Sequence, residues 1–549
     1  MEPDTARMVV LRHLMRVHGP LTSGAILARY DLKPAWLNDA LGRLADQGTV
    51  LRGTLTPGSM SEEWCDRSVL ERLHRETLSL LRRQVQAVGL PDYADFLTRW
   101  QSLHPEHALS EERLESALAQ LAGMLLPAEV WERDVLPLRV PGYGPAMLDA
   151  LCARGDAIWQ AQGPDWQHVR VRFFWAGEGS TYLPDTPDPG VVDGLGPVAR
   201  QVYAFLEKEG PLSTRALQSA LGLAPGACEQ ALLELLLAGL VTNDRPEVLR
   251  AVVAGQFGVP ESEGIQSSLD SDLSDWRAAR RPATLRRPTR SEMLAGRRRV
   301  DRRATTGTDP EGRWSLIHRY GILGSRLEGT EQALAQARQL LQSYGVVSRE
   351  MVEQQRGMLP WASLYPHLYR MELTGEVRRG YFVRGLSGLQ YALSDALDSL
   401  RQWVRADAPG RYALVLMNAA DPALVYGRTT PGGISEPETE TAASPRAEEL
   451  VFARIPSNYV VLANGVPVLV YEHGGARWQS LSGVRSEVIE RAATILLAHL
   501  TRPGGLAHRP RRVSVASWNG GSPLDTQIGQ VLAALGFRRD TPGMVWDGL

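Results

Sequence analysis

The chain has 549 residues, 44% hydrophobic and 22% charged, enough apolar material for three or four globular domains. Lys+Arg (60) and Asp+Glu (62) nearly cancel, which excludes a wholly basic nucleic-acid tail or an acidic disordered chain and makes any polyanion-binding surface local. Lys33 and Lys208 are the only lysines and neither follows a glycine, so the Gly-Lys-Ser/Thr phosphate cradle of a P-loop, and with it ATP hydrolysis by this sequence alone, is excluded.

Residues 1–66 read as a winged helix. Leu11, Leu14 and Met15 form one apolar stripe, Gly19-Pro20 ends the helix, and Thr22 or Ser23 can cap the next. Pro34 suits a first turn, Leu37, Leu41 and Leu44 line the buried face of a third helix, and Gly48 stops it before a strand at 49–52. Residues 67–180 read as a helical connector followed by a diverged module that ends in Leu148, Leu151 and Gly155 and strands at 157–162 and 168–175. The segment 195–255 is an unmistakable copy of the first. His18 to Val50 aligns with Glu209 to Val241 without a gap, matching Gly19/Gly210, Pro20/Pro211, Leu32/Leu223, Pro34/Pro225, Leu41/Leu232, Gly48/Gly239 and Val50/Val241.

Residues 256–326 are expected to form a basic linker: 277–303 holds eleven arginines against Glu292 and Asp301, with almost no aliphatic side chains. A further copy occupies 327–393, where Gly375-Glu376-Val377-Arg378-Arg379-Gly380 repeats Gly48-Thr49-Val50-Leu51-Arg52-Gly53. Short apolar strands follow in 394–483, with a type I′ hairpin signal at Asn464-Gly465 and an acidic loop at 433–449, and are expected to make a small β-barrel. Residues 484–549 form a terminal α+β segment. The fold class is therefore α+β: four or five tandem winged-helix modules, a barrel and an α+β end.

Cys65, Cys152 and Cys228 lie far apart, no HExxH occurs, and the first residues lack the apolar core of a signal peptide. A reducing, cytoplasmic protein with no metal and no membrane association is expected.

Candidate nucleic-acid contacts follow from residue type and place. Opposite the leucine stripe of the third helix stand Trp36, Asn38 and Arg43, with Arg52 on the wing behind them, types able to stack on bases or to bond bases and phosphates. The equivalent helix positions of the 195–255 copy are Ala227, Glu229 and Glu234, whose acids repel phosphate. The wing of the 327–393 copy is the most basic: Arg378, Arg379 and Arg384 with Tyr381 offer phosphate contacts and a stacking ring. Strand alternation puts Arg379, Tyr381 and Val383 on one of its faces.

Several motifs together resemble the C-terminal half of the large helicase-related proteins. They are Glu63-Trp64-Cys65-Asp66; Glu132-Arg133-Asp134-Val135-Leu136-Pro137 with Tyr143 and Leu148-Asp149-Ala150-Leu151-Cys152; Gly239 to Asp244; Arg378 to Val383 with Gly385-Leu386; and Asp421-Pro422 with Tyr426-Gly427. The resemblance implies a bacterial superfamily 2 DNA helicase whose ATPase core would precede Met1, joined in cis or supplied in trans, so that ATP and Mg2+ enter only with that core. It also implies an arrangement similar to tandem winged-helix and β-barrel DNA glycosylases, assembly as a tetramer, and single-stranded DNA as the partner. Uracil-DNA glycosylase activity is the alternative to a purely binding role. Related glycosylases use glutamines near a winged helix, which nominates Gln390. Excision needs a carboxylate or amide to position water while the base is flipped out, and Asp547 is the catalytic candidate.

Overall fold

The computed structural model describes residues 3–56, 58–59, 61–83, 87–107, 113–258, 312–406, 413–427, 450–502, 512–524 and 526–547, the side chains of 78–83 and 404–406 excepted. The arginine-rich run 277–303 and the acidic loop 433–449 lie outside these residues. The chain divides into two compact units, Met1–Ala87 with Gly380–Phe382, and the remainder.

In the first unit, helix Pro3–Val17 buries Leu11, Leu14 and Met15, and helix Pro34–Asp46 buries Leu37, Ala40, Leu41 and Leu44 against them. Each such leucine contributes roughly 1.5–3 kcal/mol through burial. Thr22 caps the intervening helix Ser23–Arg29, its hydroxyl accepting from the Ala25 amide at 3.1 Å. The wing consists of β1 (Val50–Gly53) and β2 (Glu63–Asp66), paired antiparallel with Leu51 opposite Cys65; a bridge between Leu21 and Trp64 adds a third strand position. This is the winged helix that the Gly and Pro punctuation predicts.

The second unit holds three more such modules. In chain order, helices Leu90–Trp100, Leu114–Gln120 and Pro145–Ala153 accompany β3 (Leu126–Pro127), β4 (Ala157–Gln162) and β5 (Arg170–Trp175), paired in the order β3-β5-β4. Helices Pro197–Glu209, Thr214–Leu221 and Pro225–Leu237 accompany β6 (Leu212–Ser213), β7 (Val241–Asn243) and β8 (Arg313–Leu316), in the order β6-β8-β7. Helices Gly329–Tyr344, Arg349–Gln354 and Trp361–Leu373 accompany β9 (Val346–Ser348), β10 (Val377–Gly380) and β11 (Gln390–Leu393), in the order β10-β11-β9. In all four modules the glycine after the last helix takes a left-handed backbone: Gly48, Gly155, Gly239 and Gly375 have φ of 67°, 77°, 77° and 80°. A Cβ is unfavourable there, which is why the repeat is anchored on glycine.

One boundary differs from the expectation. The presumed linker 256–326 contains β8, which pairs with both β6 and β7 and buries Trp314, whose indole N–H donates to Thr214 Oγ1 at 3.0 Å. The basic segment is thus an insertion within the third module. The alternating Trp314-Ser315-Leu316 pattern is the strand signal, obscured by the arginine-dense run before it.

Beyond the modules, β12 (Leu414–Asn418), β13 (Tyr459–Ala463), β14 (Val466–Glu472), β15 (Arg477–Gln479) and β17 (Ser517–Trp518) form one sheet, antiparallel except for the parallel β15-β17 pair. The β13-β14 turn has Asn464 and Gly465 both at positive φ, 45° and 77°, the geometry expected of the hairpin signal. Strand alternation sorts the side chains. Leu414 and Leu416 join Val488, Ile489 and Leu496 of helix Ser486–Leu500 on one face, while Val415 and Met417 join Ala94, Leu103 and Phe452 on the other. Strands β16 (Val513–Val515), β18 (Arg538–Asp540) and β19 (Gly543–Trp546) make a separate sheet in the order β16-β19-β18. Among the described residues no pairing closes β12 onto β17, so a closed barrel is not found. No single described helix is long and apolar enough to cross a membrane.

Candidate nucleic-acid interface

The fourth module presents an exposed aromatic stripe. Helix Trp361–Leu373 has the recognition position, and Leu364, Leu368 and Met371 face inward. The opposite stripe is exposed: Tyr365 at 38%, Tyr369 at 41% and Leu373 at 42%, with Arg370 beside them. Residues four apart share a helix face, so Trp361, Tyr365 and Tyr369 form a ladder, with the first two rings 6.0 Å apart at the centroids. Arg379 extends it, its guanidinium 5.3 Å from the Tyr369 ring centre while its Nε bonds Glu372 at 3.0 Å.

The wing residues divide. Arg378 is half-buried and makes no ion pair with a described residue; Arg384 is exposed, and Tyr381 is 65% exposed between buried Gly380 and Phe382. Gln390 is fully buried. Its side-chain amide donates to Val383 O at 2.9 Å and accepts from Val383 N at 2.9 Å, clipping the wing to β11 as a backbone mimic. It is a structural residue, because a glutamine with both ends of its amide engaged by backbone cannot read a base.

In the first unit Asn38 and Arg43 are exposed, Arg43 bonding Asp39 at 2.5 Å, and Trp36 packs partly into the core. Arg52 bonds Glu62 at 2.6 Å and lies 5.3 Å from the Trp64 ring centre. In the third module, Glu234 accepts from the Gly196 amide at 2.6 Å, which gives that acid a structural use.

The motifs behind the family resemblance fold into buried polar networks. Arg139 and Asp421 are both wholly buried and joined bidentately at 2.7 and 2.8 Å, with Arg139 also donating to Gln101 at 2.8 Å. Arg250 clamps Glu132 at 2.7 and 2.8 Å and Asp149 at 2.6 and 3.1 Å, while Tyr143 donates to Glu132 at 2.6 Å. Burial and the adjoining Glu132 carboxylate push the Tyr143 phenol well up, so it stays a donor.

Asp134, in a single π turn at Trp131–Val135, is also fully buried. It accepts from Arg133 Nε at 2.9 Å, Asn418 Nδ2 at 2.9 Å, Tyr459 OH at 3.1 Å and His499 Nε2 at 2.8 Å. Asp134 is saturated by four donors and closed to solvent, which makes it an organiser of the sheet–module junction.

Asp547 is different. It follows β19, its side chain is 47% exposed, and two guanidinium groups flank it, Arg538 Nη2 at 3.5 Å and Arg512 Nε at 3.9 Å. This is an open carboxylate on a basic rim, able to meet a ligand that the arginines draw in.

The fold so described is a tandem winged-helix protein with a β-rich end. Residues 88–176 and 326–412 each match the winged-helix domain of large helicase-related proteins. The chain is 31% identical over 523 residues to a Mycolicibacterium smegmatis protein named Lhr helicase/probable uracil glycosylase, covering 93% of this chain and 31% of that protein. It is 26% identical over 570 residues to an Escherichia coli protein named Lhr helicase/uracil glycosylase, covering 98% of this chain and 33% of the other. Among solved structures, the Streptomyces sahachiroi DNA glycosylase AlkZ aligns with a TM-score of 0.40 at 13% identity, over 77% of this chain and 99% of that one. Two segments of the chain are thus similar to winged-helix domains of large helicase-related proteins, and the chain spans about a third of the length of the curated relatives it matches.

Proposed function

We propose that this chain binds DNA in repair and carries the base-excising rather than the ATP-driven activity of large helicase-related proteins. One observation carries the reading. Over 93% of its length the chain is similar to a protein named both helicase and probable uracil glycosylase, yet its sequence has no Gly-Lys-Ser/Thr to hold a nucleotide. Of the two named activities, the glycosylase is the one whose residues this sequence can supply.

In this reading single-stranded DNA lies on the fourth module, with Tyr365 and Tyr369 stacking on bases and Arg378, Arg379 and Arg384 contacting phosphates. The surface of the first unit with exposed Asn38, Arg43 and Arg52 and half-buried Trp36 supplies a second contact. Asp547, flanked by Arg512 and Arg538, is the catalytic carboxylate. It stabilises positive charge developing on the sugar as the extruded base departs, and orients the water that replaces it. The chain works with a helicase core in cis or trans and assembles as a homotetramer; light scattering should return about four times the 60.4 kDa chain mass, and a monomer mass at micromolar concentration would sink that part.

The test is a uracil-containing single-stranded oligonucleotide followed by alkali cleavage. The wild-type chain should generate alkali-labile sites and Asp547→Asn should not, while both bind the oligonucleotide. Binding without excision by the wild type would leave the chain a binding module.

A further inference from the structure

Outside the surfaces above, a group of arginines forms no ion pair with any described residue. Arg170 and Arg172 alternate on one face of β5, opposite Gln162 and Gln160 of β4. Arg172 is only 3% exposed, yet its guanidinium meets no carboxylate: Nη1 donates to two backbone carbonyls, Tyr182 O and Gly357 O, both at 3.2 Å, and Nε is buried without a partner. Gly357 belongs to the fourth module, in the turn leading to helix Trp361–Leu373. It has φ of +80°, and a Cβ there would lie 2.7 Å from Arg172 Nη2, so the glycine lets the two modules close around the cation. Its neighbour Arg356 is exposed and lies close enough to Arg170 for the two charges to oppose each other. Neither Arg170 nor Arg356 forms an ion pair with a described residue.

Two other arginines of this unit show the contrast. Arg139 has Asp421, and Arg250 has Glu132 and Asp149. A buried cation without a counter-charge is costly, and beside it the half-buried Arg170 is opposed by the charge of exposed Arg356. Burial pulls Arg172 down to about 10, opposed only by the nearby Tyr182 phenol and by no carboxylate. An anion from outside the chain would stabilise such a cluster.

We propose that Arg170, Arg172 and Arg356 form a seat for a backbone phosphate of bound DNA where the second and fourth modules meet. Arg356 and Arg170 form its open rim and Arg172 its floor, with planar donors suited to phosphate oxygens. This deepens the DNA-binding reading and rests on it. The seat would fix the register of the strand relative to the aromatic ladder, whose helix begins four residues after Gly357.

The test uses the whole chain, a fluorescent thymidine oligonucleotide and the double variant Arg170→Ala/Arg356→Ala, whose positions are open enough to leave the fold intact by circular dichroism. Two lost phosphate contacts should flatten the slope of log K against log salt by about 1.4, at about 0.7 per contact on a single strand, and lower affinity at low salt. Gly357→Ala, which pushes against Arg172, should also weaken binding. An unchanged affinity and slope in the folded double variant would overturn the seat while leaving DNA binding by the chain standing. A wild-type chain that binds no oligonucleotide would overturn the DNA reading and the phosphodiester seat together. Inorganic phosphate, followed by thermal shift, then separates the sources: stabilisation of the wild type but not of the double variant, without oligonucleotide binding, would replace the DNA seat by a free-anion site.

Discussion

Replacing Asp421 with alanine tests whether the family motifs act as internal ties. Asp421 and Arg139 are wholly buried, and two charge-assisted bonds join them. The same carboxylate also accepts from the Ala423 amide at 2.9 Å. At an effective dielectric of about 20, a pair about 4 Å apart attracts by about 4 kcal/mol. Losing one partner leaves Arg139 with only Gln101 and a backbone carbonyl as acceptors, neither charged. The expected destabilisation is about 3–5 kcal/mol. Exchanging both partners for apolar residues, Arg139→Met with Asp421→Leu, should recover most of it, because the cost lies mainly in the orphaned charge. Guanidinium unfolding followed by tryptophan fluorescence would measure all three proteins. A single Asp421→Ala variant within 1 kcal/mol of wild type, or a double variant no better than the single, would refute the reasoning.

Other outcomes follow from the same geometry. Gln390→Ala should cost about 1–3 kcal/mol by leaving the Val383 amide and carbonyl unpaired, with circular dichroism showing a lower melting temperature. Tyr365→Ala and Tyr369→Ala should each weaken single-strand binding by about 1–3 kcal/mol in fluorescence anisotropy, whereas Tyr→Phe at either position should matter little because the stacking face remains. Arg378→Ala with Arg379→Ala should flatten the salt slope, and an unchanged slope in a folded variant would move the contact surface to Trp36, Asn38 and Arg43. Burial lowers the folded His318 below its ordinary value near 6.5, so its contribution to stability is present above that value and is lost as pH falls through the lowered one. His318→Gln should therefore reduce the loss of stability between neutral and mildly acid pH, and an unaltered pH profile would exclude His318 as a source.

Local chemistry made the modules readable. Gly48 and Gly239 need a left-handed backbone and Pro34 and Pro225 a first turn, and these requirements leave marks at fixed offsets in the sequence. The pairing of β8 with β6 and β7 was less accessible, because residues 259–311 separate it from its module and a strand's partner leaves no local trace. Residue type pointed to the basic wing but could not say that Gln390 is spent on Val383 or that Arg379 is half-occupied by Glu372. The ladder of Tyr365 and Tyr369 leaves a mark in the sequence, a four-residue aromatic spacing on the helix face opposite Leu364, Leu368 and Met371. The Asp134 network could not, since Asn418, Tyr459 and His499 come from distant segments that only the tertiary fold assembles. Arg172 lay in plain alternation within β5, but its lack of an acid is a property of the folded surroundings.

The central claim is that this chain carries base excision without ATP-driven chemistry, with Asp547 at the reacting carbon. Its most direct measurement is alkali-labile site formation on uracil-containing single-stranded DNA by the purified chain, with no nucleotide added, comparing wild type and Asp547→Asn. The account predicts cleavage by the wild type and its loss in a variant that still binds the oligonucleotide. Equal cleavage by both would contradict the role of Asp547, and cleavage by neither, with binding intact, would contradict the glycosylase.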